Sequence, residues 1–197
     1  MGIDFEYPYG ATPLDPEEIE GLKLPHITTM EELNRWEQSN ISEAYSWLKK
    51  RRNQKDVTNQ ELLLKLHKQM FGKVWKWAGQ FRRSEKNIGV SWPTIQVELN
   101  QHLADINYWI EHKTYSPDEI GIRFHHKLVW IHLFSNGNGR HARLATDALL
   151  ENVFEIKPFT WGKDSIDRPG DVRSRYIEVL READNQNFTK LLDFVRS

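Results

Sequence analysis

Cysteine is absent from the chain, so disulfides, thiolate metal sites and cysteine nucleophiles are excluded together. No apolar run approaches the ~20 residues of a membrane span. The opening Met1-Gly2-Ile3-Asp4-Phe5-Glu6 lacks the basic-then-apolar order of a signal peptide. Glu6 stands where a myristoylation signal needs serine or threonine. The cytoplasm is therefore the expected compartment. Excess charge of one sign is missing as well: 27 basic and 28 acidic side chains leave a formal net charge of −1. That balance gives no field for nucleic acid or for an acidic membrane surface. Internal repeats and low-complexity stretches are also absent.

What is present is helical. At 197 residues the chain suits one domain with a substantial core, and its eight tryptophans suit core and groove packing. Residues 1–27 hold Pro8, Pro13, Pro16 and Pro25 and read as an extended arm with a short helix at Glu17–Gly21. The capping box Thr29-Met30-Glu31-Glu32 opens a helix with Leu33, Trp36, Ile41, Ala44 and Leu48 on its inner side. It ends near Lys49-Lys50-Arg51-Arg52, a basic run that suits a helix C-terminus. Thr58-Asn59-Gln60-Glu61 starts the next helix, with Leu62, Leu66 and Met70 inward; Ile95, Leu99, Leu103, Ile106 and Ile110 mark another. Two more fall near 171–184 and 188–196. The one β signal is a short hairpin between Gly79 and Trp92, turning near Lys86-Asn87. Two parts are expected: 1–54, an arm and helix packed on the core, and 55–197, the core itself.

The most informative stretch is His132-Leu133-Phe134-Ser135-Asn136-Gly137-Asn138-Gly139-Arg140-His141-Ala142-Arg143. Upstream, Ser116-Pro117-Asp118-Glu119 is a helix start, and Ile120, Phe124, Leu128 and Ile131 form a stripe ending at the histidine. Downstream, Ala142, Ala145, Ala148 and Leu149 continue a second helix, with Asn138 as its expected N-cap. The glycines let backbone N–H groups converge on one anion, where the positive end of the helix dipole favours it. Arg140 and Arg143 share a helix face and reach one polyphosphate. His132 is a titratable group beside that cradle. A phosphate-transfer site is the expectation. Gly137-x-Gly139-x-x-Ala142 matches the dinucleotide fingerprint only formally, because no strand precedes it. No Gly-Lys-Ser/Thr follows, so a P-loop fails too. His125, His126, His132 and His141 lack the spacing of a metal cluster.

These residues resemble the signature of the Fic/Doc (Fido) family, H-x-F-x-D/E-G-N-G-R-x-x-R, at every fixed position but Asn136. Trp77-Ala78-Gly79-Gln80-Phe81-Arg82 with Asn87-Ile88-Gly89 is similar to the family's segment leading into its target-binding flap. Tyr176-Ile177-Glu178-Val179-Leu180-Arg181-Glu182-Ala183-Asp184 is similar to its last core helix. Leu14-Asp15-Pro16-Glu17 through Trp36-Glu37 resembles the subgroup called mobile mystery protein B. The likeness covers residues 55–196 and implies an all-α fold with a small β-hairpin flap.

It also implies adenylylation: a target hydroxyl attacks the α-phosphate of ATP, AMP is transferred and pyrophosphate leaves. His132 would be the general base. Phe134, Gly137, Asn138, Gly139, Arg140, Arg143 and Tyr176 would bind the nucleotide, with Arg140 on the β-phosphate and Arg143 on the γ-phosphate. Asn136 takes the place of the acidic Mg2+ ligand, and an amide is a poorer partner for a hard cation. The target protein would dock along Ser84–Trp92 as an added strand. Many members are restrained by a glutamate in S/T-x-x-x-E-G/N that pairs with the second arginine. Glu20 in Pro16-Glu17-Glu18-Ile19-Glu20-Gly21 and Glu43 after Ser39 match it in part; a separate antitoxin-like protein is the other route. Two rivals stay open: a same-fold transferase using another nucleotide or phosphate donor, and a non-catalytic nucleotide-binding or interaction module.

Overall fold

The structure, a computed structural model, describes residues 12–51, 56–162 and 169–197; residues 1–11 of the arm and Arg52 lie outside the described residues. Its α-helices are α1 (Pro16–Ile19), α2 (Met30–Lys49), α3 (Gln60–Phe71), α4 (Ile95–His112), α5 (Pro117–Ile131), α6 (Asn138–Asn152), α7 (Pro169–Ala183) and α8 (Thr189–Arg196), with short 3₁₀ turns at Asp56–Thr58 and Trp92–Thr94. The starts follow the capping residues. Thr29 Oγ1 accepts from the Glu32 N–H at 3.2 Å, and the Glu32 carboxylate accepts from the Thr29 N–H at 3.3 Å. Asn59 and Ser116 cap α3 and α5 through the N–H groups of Glu61 and Glu119. The short first helix forms one residue earlier than expected, because Pro16 sits ready-made at its first position.

Helices α5 and α6 pair at the centre, flanked by α4 on α5 and by α3 on α6, while α2 lies on α3. Ile120, Phe124, Leu128 and Ile131 are buried on α5, opposite the small Ala142, Ala145 and Ala148 of α6. Helices α7 and α8 enclose a second apolar cluster with Ile122, Leu150, Phe159 and Trp161. This burial is the main source of stability, since isolated helices of these lengths are marginal in water.

Two expectations are corrected. The segment between Gly79 and Trp92 forms no strand; among the described residues the β-type pairing is an isolated bridge, Leu22 to Trp75. The Arg82 side chain, not a cross-strand ladder, takes the carbonyls there. On α2 the inner face is Leu33, Glu37, Asn40, Ala44 and Leu48, whereas Trp36 is 44% exposed. Two polar side chains interrupt the apolar stripe, which shifted its apparent centre.

Candidate active site

The loop between α5 and α6 is built from two left-handed residues. His132 closes α5 with φ 58°, and Gly137 precedes α6 with φ 79°. A Cβ at Gly137 would lie 2.5 Å from the Phe71 ring, so only glycine lets the backbone pass there. Between them Phe134 is driven inward, stacked on the His67 ring at 3.6 Å between centroids and edge-on to His141 at 4.9 Å. His67 Nδ1 accepts from the Gly79 N–H at 2.9 Å, which assigns its proton to Nε2, and Nε2 donates to the Asn136 carbonyl at 3.1 Å. Asn138 was expected as N-cap and phosphate donor. Instead its amide is spent on the loop: Oδ1 accepts from the Phe134 N–H at 2.9 Å and Nδ2 donates to the Phe134 carbonyl at 2.7 Å. Gly137 is the N-cap. The first intrahelical bond runs from the His141 N–H to the Gly137 carbonyl at 2.9 Å, so the N–H groups of the preceding turn carry the positive end of α6.

His132 is buried, and burial pushes its pKa down to about 4, with the charges of Arg82 and then Lys86 adding to the effect against the Val129 carbonyl. At neutral pH the ring is uncharged and able to take a proton. Its Nε2 lies 3.3 Å from Oγ1 of Thr12. With the Val129 carbonyl favouring a ring N–H and Nε2 turned to Thr12, the proton is assigned to Nδ1, although Nδ1 makes no well-formed hydrogen bond.

Arg82 ties the flap segment to this loop. Its Nε donates to the His132 carbonyl at 2.6 Å, Nη1 to the Ser84 carbonyl at 2.8 Å, and Nη2 to the Val90 and Ile131 carbonyls. Gly89, at φ 99°, passes so close that a Cβ would meet the His132 Cβ at 2.6 Å.

The arginines face different partners. Arg140 Nη1 donates to Glu37 Oε2 at 2.6 Å, and Nη2 donates to Asn136 Oδ1 at 3.1 Å. Glu37 is itself buried and accepts from Trp75 Nε1 at 2.6 Å. Arg143 lies over the Tyr176 ring, 5.1 Å from its centroid, and its Nε donates to the Gly139 carbonyl at 3.4 Å. The Tyr176 hydroxyl sits 2.8 Å from His125 Nε2 and beside Gly139, where an added Cβ would be 3.6 Å away. Burial raises its pKa, so it stays a neutral hydroxyl. Phe134, Asn136, Gly137, Asn138, Gly139, Arg140, Arg143 and Tyr176 are thus linked around the start of α6, with His132 at the opposite end of the same loop, at the close of α5.

Other candidates do not converge. Glu20 is exposed at the end of α1, and Glu43 pairs with Lys73 at 2.5 Å; neither engages a motif arginine. His126 bonds Asp184 and His141 bonds the Leu63 carbonyl, and among the described residues no cluster of acidic and histidine side chains has the makings of a metal site. Sequence reasoning missed Glu37, His67 and Thr12. Only the polar break at Glu37 and Asn40 in the α2 stripe signalled any of them.

Residues 57–150 match the model of the Fic/DOC family. The chain is 32% identical over 144 residues to the protein adenylyltransferase Fic of Aedes aegypti, covering 71% of this chain and 28% of that protein. It is 28% identical over 137 residues to the protein of the same name from Nematostella vectensis, covering 68% and 30%. The chain thus spans under a third of the length of these curated relatives. Among solved structures, a VirB-translocated effector, BepC, with bound AMPPNP from Bartonella tribocorum superposes with a TM-score of 0.63 at 18% identity, over 86% of this chain and 87% of that one. The N-terminal Fic domain of an effector from Bartonella sp. AR 15-3 gives 0.66 at 18%, over 89% and 83%. Both share the helical fold, and no helix among the described residues is long and apolar enough to cross a membrane. With the signature loop, the family match and the fold in agreement, the chain belongs to the Fic/Doc family.

Proposed function

We propose that this chain transfers AMP from ATP to a hydroxyl of a protein target. The observation that carries the reading is the uncharged His132, its Nε2 within reach of a hydroxyl, at the end of α5 where the flap meets the loop that leads to the two arginines. The target hydroxyl gives its proton to Nε2 as its oxygen attacks the α-phosphate, and pyrophosphate departs. Charge growing on the phosphate oxygens meets the N–H groups of the first turn of α6, Arg140 and Arg143. Tyr176 walls the nucleotide on the α7 side. The target lies along residues 84–92. On this reading the protein works in the cytoplasm, where ATP is at hand.

Magnesium fits poorly. The Asn136 oxygen carries no charge and already accepts from Arg140, so the donor set does not suit a protein-held Mg2+. Restraint falls to Glu37, which competes with phosphate for Arg140, or to an antitoxin-like partner.

The test is incubation with lysate and ATP labelled on the α- or the γ-phosphate. Only α-label should reach protein, and His132→Ala should cut transfer by about 10²–10⁴ while nucleotide binding, read by calorimetry, persists. Transfer of γ-label would mean phosphorylation. Binding without transfer would favour the non-catalytic module, a reading that the Asn136–Arg140 contact supports.

A further inference from the structure

The segment from Thr12 to Glu18 lies against the flap, where a target would lie. Lys86, whose side chain is 3% exposed, donates from Nζ to the Pro13 carbonyl at 3.5 Å, to Asp15 at 2.8 Å and to Glu18 at 2.6 Å. Ser84 Oγ donates to the other Glu18 oxygen at 3.2 Å. The bond from Lys86, and then that from Ser84, holds the Asp15 carboxyl below its usual range. Thr12 and Leu14 point inward and Pro13 outward, the alternation of an extended chain. At the end of this run Thr12, 8% exposed, puts its hydroxyl on the base nitrogen of His132. A base held within hydrogen-bond reach of an alcohol is the geometry that nucleophilic activation requires.

We propose that Thr12 is a substrate of this active site in cis, and that the 12–18 segment competes with other proteins for the flap. The inference rests on the AMP-transfer reading above. Thr12 Oγ1 forms a bond to the α-phosphorus of ATP, its proton passes to His132 Nε2, and the bond from the α-phosphorus to the bridging oxygen breaks. Pyrophosphate leaves with that electron pair, and the product is a threonine phosphodiester of AMP. Tethering makes the encounter intramolecular, so a modest intrinsic rate suffices at any protein concentration. External targets must first displace the Lys86 contacts.

The full chain is incubated with Mg-ATP, followed by intact mass and peptide mapping. Wild type and Thr12→Ser should gain one AMP at residue 12, with a fractional rate unchanged on dilution. Thr12→Ala should lose self-labelling by about tenfold or more and label lysate proteins severalfold faster. In a mixture of wild type with His132→Ala, the His132→Ala chains should stay unmodified. Labelled lysate proteins with an unmodified Thr12 would overturn this inference and leave AMP transfer standing. So would a Thr12→Ala chain that labels itself at the wild-type rate, or label on Thr12 of His132→Ala. No transfer to any protein would overturn both.

Discussion

Acid should unfold this protein early, because several of its histidines are buried without charge. Burial pushes His102 and His125 down to about 3, and His132 and His141 down to about 4, from an ordinary value of 6.5. A folded pKa below the unfolded one means that the unfolded chain binds the proton first. Stability is therefore complete above pH 6.5 and drains away as pH falls toward 4. Between pH 7 and 5.5 each such histidine costs a little over ~1 kcal/mol, and the four together about 5 kcal/mol. His67, held low by burial and then by the neighbouring His141, acts in the same direction. A loss of about 5 kcal/mol is a large part of the 5–15 kcal/mol typical of a domain. With a urea slope of about 2 kcal/mol/M, the unfolding midpoint should fall by roughly 2 M or more. Tryptophan fluorescence suits the assay, since Trp75 is fully buried. His102 lies on the Phe124 carbonyl, away from the motif loop, and His102→Gln should flatten the pH slope by one proton. A midpoint at pH 5.5 within about 0.3 M of that at pH 7 would refute the argument, because neutral buried imidazoles cannot coexist with a flat profile.

Gly137→Ala meets both a left-handed backbone and the Phe71 ring, so we expect a loss of about 2–3 kcal/mol and weaker ATP binding; an unchanged melting temperature would contradict it. Glu37→Ala strands the Trp75 N–H and one edge of Arg140, at a cost of about 2–3 kcal/mol in urea unfolding. Glu37→Gln retains a partner for Trp75 but loosens Arg140, and should tighten ATP in calorimetric titration; weaker binding would make Glu37 an orienting partner. Asn136→Asp places a carboxylate at the loop and should sharpen the Mg2+ dependence of ATP binding. Identical Mg2+ titrations of the two proteins would mean that residue 136 does not touch the ion.

Much of this was legible where the physics is local. Thr29, Asn59 and Ser116 cap helices because a side-chain oxygen within three residues satisfies an orphan N–H. The stripe on α5 and the glycines after it located the loop for the same reason. What stayed hidden depends on residues far apart in the chain. Glu37 is buried because Trp75 and Arg140, 38 and 103 positions away, bring it donors. His67 reads as a polar residue on α3 until Phe134 stacks on it. Thr12 is 120 positions from His132. The missing hairpin has a related cause: the carbonyls that a ladder would have used are taken by Arg82.

Arg82 fastens the flap through oxygens of the main chain, those of Ser84 and Val90 on one side and of Ile131 and His132 on the other. Every residue type supplies such an oxygen. Exposed side chains between the two anchor points can thus change without unfastening the segment, whereas Gly89 is held to glycine by its approach to His132. Exposed Ile88 sits in that interval and Trp92 just beyond it. On the AMP-transfer reading, recognition of new targets can drift through such positions while the distance from a docked polypeptide to the imidazole stays constant. One guanidinium separates what is selected from where it reacts.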